Sequence, residues 1–98
     1  MDLNRHILEA IAKRICIEAT YNRTIFRLAP HILYTRHDEL YLDAVALEKA
    51  GQPPREIKIG TFKLAGLKEV VLCEIGFEPE PLFDPDDDKY RDVTLFAV

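Results

Sequence analysis

The alternation of apolar and polar positions predicts one short helix at the start of the chain, followed by strands. Over residues 3–14, apolar side chains recur at helical spacing, Asp2 or Asn4 can act as the N-cap, and basic residues occupy the C-terminal end. From Ile15 the apolar period becomes two and continues to Tyr21, where a polar turn begins. The sequence therefore predicts an amphipathic helix and a first strand.

The middle of the chain has the pattern of several strands with bends between them. Residues 24–28 and 31–34 are β-prone and flank Pro30, which has no N–H for a ladder and so marks a bend or a sheet edge. Residues 40–47 alternate clearly, and a proline-containing loop follows over residues 49–56. The alternating positions that can share one face are Leu40, Leu42, Ala44 and Ala46.

In the last third of the chain, the pattern leaves some elements open. Residues 57–64 continue the β character, with bends expected at the glycines that interrupt this part of the chain. Residues 67–75 fit either a short helix or a strand. Asp84 and Pro85 fit the N-cap and first turn of a helix, whereas residues 93–98 are β-prone.

One helix and four or five short, bent strands predict a mainly β (α+β) fold. At 98 residues, a small SH3-like or Sm-like barrel with an N-terminal helix and a short C-terminal element would bury one sheet face and remove most free edges. We expect one barrel domain over residues 1–78. The acidic C-terminal extension, residues 79–98, is expected to pack on the same domain.

The composition excludes two classes of protein. With 48% hydrophobic and 9% aromatic residues, the chain has enough apolar surface for one core, which argues against disorder. Its longest apolar stretch is far shorter than the roughly 18 residues that a membrane span requires. Charges in the first ten residues interrupt the apolar core that a signal peptide would need, so we expect a cytoplasmic protein without membrane association.

The formal net charge of −4 hides an asymmetry along the chain. Residues 1–36 carry six basic and three acidic groups, residues 37–73 carry five and six, and residues 74–98 carry two and eight. An acidic protein gains little from counterion release on duplex DNA, so a generic DNA-coating role is excluded. The basic first third fits either a local anion-binding face or ordinary solvated surface.

Few features of the sequence suggest catalysis. There is no serine or tryptophan, no glycine-rich phosphate loop and no metal-ligand spacing among the histidines. Cys16 and Cys73 stand apart in apolar surroundings, and we interpret them as small buried residues in a reducing compartment. The aspartates of residues 84–88 lack the EF-hand pattern. We therefore expect no enzymatic activity, no cofactor and no metal site.

Several short motifs occur in an order that is typical of one family. They are a strand ending in Tyr21, RLAP at Arg27–Pro30, LYLDA at Leu40–Ala44, Arg55, FKLAGL at Phe62–Leu67 and a late Phe77. In this order, over roughly residues 7–78, the chain resembles the WYL domain family. The departures are Leu40 for the family's Trp, Lys63 and Gly66 for two Arg and Ala65 for an Asp. The helix-turn-helix that usually precedes the family's domain has no counterpart before the first strand.

The resemblance implies an SH3-like or Sm-like barrel that senses a ligand or responds to nucleic acid in bacterial transcription regulation or defence, without catalysis. The candidate site residues are Tyr21, Arg27, His31, Tyr41, Arg55 and Lys63. Arg27 can direct two donors onto a phosphate or a base, and the tyrosines can stack on a base. A cross-strand ion pair for Arg27 and simple packing for the tyrosines are the ordinary alternatives.

Two functions are consistent with these features. The first is a non-catalytic module that binds a nucleotide-like or other small anionic ligand, or a single nucleic-acid strand. The alternative is an oligomerisation or regulatory protein-partner module, for example a homodimer, that has lost the ligand site through the changes at Leu40 and Gly66. The two readings differ in whether Tyr21, Tyr41 and Arg27 converge on one exposed concave face.

Overall fold

The N-terminal helix packs on one face of a six-stranded antiparallel sheet. The computed structural model describes residues 3–98, and the side chains of the predicted N-caps, Asp2 and Asn4, lie outside the described part. Its helix and strands are α1 Leu3–Lys13, β1 Ile15–Tyr21, β2 Thr24–Arg36, β3 Glu39–Lys49, β4 Ile59–Lys63, β5 Lys68–Gly76 and β6 Thr94–Ala97. The predicted mainly β (α+β) class with an N-terminal helix is confirmed. Within residues 3–98, no helix has the length and apolar character needed to cross a membrane.

The sheet remains open, so the closed SH3-like or Sm-like barrel expected from the sequence is not observed. Its strand order is β4-β3-β2-β1-β5, and β6 pairs with the second half of β2. No ladder in the described part of the chain joins β4 to β5. Six strands form instead of four or five, because residues 67–75 extend into β5 and the β-prone C-terminus becomes β6.

Pro30 lies in the middle of β2, at the point where the neighbours of this strand change. β1 pairs with β2 as far as Leu28, and β6 pairs with it from Ile32 onward. β3 follows nearly the whole of β2, with a register shift between Pro30 and Ile32. Because proline donates no ladder hydrogen bond, it fits between two pairing partners. The predicted bend is therefore a bulge within one continuous strand.

Side chains alternate between two faces of the sheet, and both faces are covered. Leu42 and Ala44 of β3 are fully buried under α1, where they meet Ile7. This arrangement confirms the alternation predicted for β3. On the opposite face Asp43 is also fully buried, because residues 77–93 cross that face and pack against it.

Asp84 begins a tight turn, and of the two possibilities left open for the C-terminal end, the strand forms. Its Oδ1 accepts a hydrogen bond from the Asp86 N–H at 2.9 Å, and its carbonyl accepts one from the Asp87 N–H at 3.1 Å. A single 3₁₀ turn follows over Asp88–Tyr90. The local helix signal is overridden because the buried Tyr90 side chain draws this segment across the sheet and the chain must then extend into β6.

Candidate functional site

Tyr21 ends β1 on the face under α1, where it is engaged in packing. Its ring meets the Phe62 ring edge to face, with 5.1 Å between ring centroids, and its hydroxyl accepts a hydrogen bond from the Lys63 backbone N–H at 3.2 Å. Gly66 lies against the same ring, since a Cβ on Gly66 would be 2.8 Å from Tyr21 Cε1. Tyr21 therefore joins the end of β1 to the connection between β4 and β5.

Arg27 lies on the opposite face, directly across the ladder from Glu48. Its Nη1 donates a hydrogen bond to Glu48 Oε2 at 2.6 Å in a half-buried ion pair. The Nε atom of Arg27 is buried and has no acceptor in the described part of the chain. The cross-strand ion pair considered from the sequence is present, and one guanidinium donor remains unused.

His31 is buried on this opposite face, with 1% of its surface exposed. Its Nδ1 lies 2.8 Å from the Ala29 carbonyl, and its Nε2 accepts a hydrogen bond from the Glu80 N–H at 2.9 Å. These contacts fit a neutral ring with the proton on Nδ1. Burial between the rings of Phe77 and Phe83 lowers the pKa of His31, in agreement with the neutral form. Both ring nitrogens are thus used within the fold.

Tyr41 and Lys63 are ladder partners on β3 and β4. The Tyr41 ring stacks on that of Tyr34 at a centroid distance of 6.1 Å. The Lys63 Nζ atom lies 3.0 Å from Glu39 Oε1. Arg55 is exposed in the loop between β3 and β4. The partners of Tyr41 and Lys63 therefore differ from that of Arg27, which pairs with Glu48.

The six candidate residues do not form one site. Tyr21 and Arg27 lie on opposite faces, whereas Arg27 and Tyr41 lie toward opposite ends of the β2–β3 ladder. Tyr34, the ladder partner of Tyr41, is seven residues from Arg27 along β2, a separation of roughly 20 Å. Convergence of both tyrosines with Arg27 on one concave face is not observed. The ligand-binding role of each residue stays a prediction.

Two cavities flank the β1–β2 turn, which is formed by Asn22 and Arg23. Both turn residues have positive φ angles, 50° and 63°, as in the tight turns that join antiparallel strands. The Arg23 side chain lines both cavities. The larger one, about 540 Å³, is also lined by Arg27, Glu18 and Glu48, and we call it the Arg27 cavity. Its two basic and two acidic groups balance.

The second cavity, about 450 Å³, differs from the first in its charge. It lies between the β1–β2 turn and the start of β5, and its charged lining groups are Arg23 and Lys68. Thr20 and Asn22 are its polar neighbours, and no carboxylate is among the lining residues. Neither Arg23 nor Lys68 takes part in an ion pair within residues 3–98. We call this site the Arg23–Lys68 cavity.

Strand pairing and one glycine build the Arg23–Lys68 cavity. Thr20 and Lys68 are partners in the β1–β5 ladder, so the lysine starts β5 beside the end of β1. The 3₁₀ turn Leu64–Gly66 supplies the remaining wall. Gly66 allows this turn to approach closely, because any Cβ there would collide with the Tyr21 ring.

The lining groups of the Arg23–Lys68 cavity are suited to an oxyanion. Lys68 offers a compact ammonium charge, and Arg23 offers a planar fork of donors that matches a phosphate or carboxylate. The hydroxyl of Thr20 and the amide of Asn22 can donate further hydrogen bonds.

Neither charged residue of this cavity is among the candidates predicted from the sequence. Arg23 falls in a predicted polar turn, and Lys68 falls in a segment whose pattern fits either a helix or a strand. The two residues meet only through the pairing of β1 with β5, and nothing in the local pattern of either segment specifies that pairing. The available signal was the basic first third of the chain, which favours an anion-binding face without locating it.

Comparison with known proteins finds no match for this chain among family models, curated proteins or solved structures.

Proposed function

We propose that this chain is a non-catalytic module that binds a small anionic ligand in the Arg23–Lys68 cavity. The observation that carries the proposal is that Arg23 and Lys68 have no ion-pair partner among residues 3–98 and lie in a cavity whose lining includes no acid. The form of the module would be the WYL-like sensor that the motif order suggests. Its setting would be transcription regulation or defence in the bacterial cytoplasm.

The chemistry of the cavity favours a ligand that carries a phosphate or carboxylate group. An oxyanion there would gain charge-assisted hydrogen bonds from Arg23 and Lys68 without competing against a neighbouring carboxylate. A volume of about 450 Å³ is within the range of pockets for small ligands.

A compact anion fits these surroundings better than a single nucleic-acid strand. Strand binding usually combines a continuous basic groove with aromatic rings on which bases stack. Here the Tyr21 ring packs on Phe62 and Gly66, and the Tyr41 ring stacks on Tyr34. The tyrosines are therefore already in contact with other residues, and the eight acidic residues of the last 25 positions would repel a long polyanion.

Calorimetric titration at low salt tests the proposal. The probes are inorganic phosphate, a nucleoside monophosphate, a nucleoside triphosphate and an oligothymidylate. We expect saturable binding of at least one small anion, weakened about tenfold or more by Arg23→Ala and by Lys68→Ala. Arg36→Ala is the matched control, because it removes one exposed positive charge at the far end of β2.

Three results would count against this assignment. One is the absence of binding to any small anion at millimolar concentration. A second is an equal loss of affinity in Arg36→Ala and Arg23→Ala, which would indicate a general charge effect. A third is tight binding of the oligothymidylate alone, which would favour the single-strand function instead.

One observation favours the alternative function, a module that forms homodimers. β5 is an edge strand with unpaired backbone groups, and its Val71 and Ile75 side chains are 52% and 45% exposed. Such an edge can pair with the same strand of a second copy. The register shifts on both sides of Val71 shorten the regular segment, which is why we place ligand binding first. Light scattering across a concentration series tests this function, and a constant monomer mass would contradict it.

A further inference from the structure

Cys16 and Cys73 lie close together on two neighbouring strands. The β1–β5 ladder pairs Ile17 with Leu72 and Glu18 with Val71. One step further along this register leads to Cys16 on β1 and Cys73 on β5, at the point where the ladder shifts between Ile15 and Ile17. The two cysteines that stand apart in the sequence are therefore brought together by strand pairing.

The two side chains also share a face and a cluster. Cys16 is fully buried with Ala29 and Val45, and the half-buried Cys73 packs against the same cluster. Burial raises the pKa of the Cys16 thiol, and the neighbouring Cys73 sulfur raises it further. The proximity of the two sulfurs thus follows from the register, from the cluster and from their mutual electrostatic effect.

We propose that Cys16 and Cys73 form a reversible cross-strand disulfide when the protein meets a low-molecular-weight disulfide oxidant. Residues directly opposite each other in an antiparallel ladder have Cα atoms about 4.5–5.5 Å apart. This separation lies within the roughly 4.4–6.8 Å range that disulfides span. Both cysteines are free thiols in the structure.

The exchange proceeds in two steps that balance. The Cys73 thiol, which is the more exposed, loses its proton, and its sulfur attacks one sulfur of the oxidant. The oxidant's disulfide bond breaks, and its other half leaves as a thiolate that takes up a proton. Cys16 then loses its proton and attacks the Cys73 sulfur of the mixed disulfide, which releases the second half of the oxidant as a thiol. The two cysteines lose two electrons, and the oxidant gains them.

Oxidised glutathione in excess over the folded, full-length protein is the test. Intact-mass spectrometry should show a monomer that has lost two hydrogens and carries no adduct. Non-reducing peptide mapping should link the peptide containing Cys16 to the peptide containing Cys73, and dithiothreitol should reverse the change. The oxidised form should melt at a higher temperature, because the bond restricts the unfolded chain.

Two single variants identify the order of the steps. Cys16→Ala should stop at a glutathione adduct on Cys73, because the second thiol is absent. Cys73→Ala should gain little adduct, because Cys16 is buried. Circular dichroism of the reduced variants establishes that they are folded before oxidation, and Cys73→Ser replaces Cys73→Ala if the latter is not.

The wild-type mass spectrum decides the outcome without the variants. A stable glutathione adduct on Cys73, a disulfide between two chains, or two thiols that remain reduced after prolonged exposure would each overturn the proposal. None of these results bears on the anion titration, which uses the reduced protein, so the two proposals can fail separately.

Discussion

Lys89 lies in the C-terminal segment that covers Asp43, and its Nζ atom is 2.8 Å from Oδ2 of this fully buried carboxylate. The hydroxyls of Tyr34 and Tyr90 donate to the same carboxylate, at 2.7 Å and 2.5 Å. Burial by itself would raise the pKa of Asp43, but these donors outweigh it and hold the pKa below its ordinary value. The Asp43 side chain of β3 therefore holds the C-terminal segment on the sheet through its bonds to Lys89 and Tyr90.

We expect Asp43→Ala to lower the free energy of unfolding by about 2–5 kcal/mol. The substitution leaves the Tyr34 and Tyr90 hydroxyls buried without their acceptor, and the lysine can turn to solvent. Urea denaturation followed by circular dichroism measures the loss. Lys63→Ala is the comparison, since it breaks the exposed ion pair with Glu39. Equal losses of unfolding free energy in both variants would show that the buried Asp43 network stabilises the fold no more than an exposed ion pair does.

The elements that the sequence predicted best are those in which buried apolar positions recur regularly at every second residue. β3 alternates Leu42 and Ala44 towards α1 with Asp43 on the other face, so period two is visible in the residues themselves. β5 is different because Val70 faces the main core, Cys73 faces the second cluster, and Glu69 interrupts the period with a positive φ of 53°. A bulge of this kind removes the regular signal that distinguishes a strand from a helix.

The candidate site was harder to predict than the fold, because it depends on pairing between distant segments. The sequence identified Arg27 as a donor but could not show that Glu48 lies across the ladder from it. Nor does it indicate that Cys16 and Cys73, which are distant in the chain, lie close together once β1 pairs with β5. The chemistry that each side chain can perform is known from the sequence. Which other side chains it contacts depends on how the strands pair, and the sequence does not show that pairing.

We expect the wild-type protein to lose stability as the pH falls below about 6.5, the ordinary pKa of histidine. The pKa of His31 is lowered by burial in the folded state, so the unfolded state binds the proton more readily. The His31 contribution is therefore present above pH 6.5, declines below it, and stops changing once the pH is below the folded-state pKa. Thermal melts from pH 7.5 to 5 measure the decline.

His31→Gln should remove that part of the pH dependence, because glutamine does not titrate. His37→Gln is the matched control, since His37 is exposed in the β2–β3 turn. The Asp43 contribution declines only below the ordinary aspartate pKa of about 3.9, so it does not overlap with this range. If His31→Gln and the wild type follow the same curve, then His31 is not the group responsible.

Gly66→Ala should destabilise the protein by about 1–3 kcal/mol. The added Cβ would lie 2.8 Å from Tyr21 Cε1, so the ring or the turn must move. A Tyr21→Leu background removes the ring, and the same alanine should then cost clearly less stability. Denaturant unfolding of the two single variants and the double variant measures this coupling. An identical loss in both backgrounds would place the effect of the alanine elsewhere.

Deletion of residues 79–98 should disrupt the fold, because this segment supplies packing rather than only negative charge. It contains β6, which pairs with β2. It also contains Tyr90, whose side chain is 5% exposed and packs against the ring of Tyr34. Without these contacts, the apolar surface of β2 and β3 becomes exposed to water. We expect strong binding of a hydrophobic dye and loss of a cooperative thermal transition.

The control is a full-length protein with Asp86→Asn and Asp92→Asn, which reduces the negative charge at exposed positions and should melt like the wild type. A truncated protein that still melts cooperatively, at an unchanged temperature, would contradict this role of the segment.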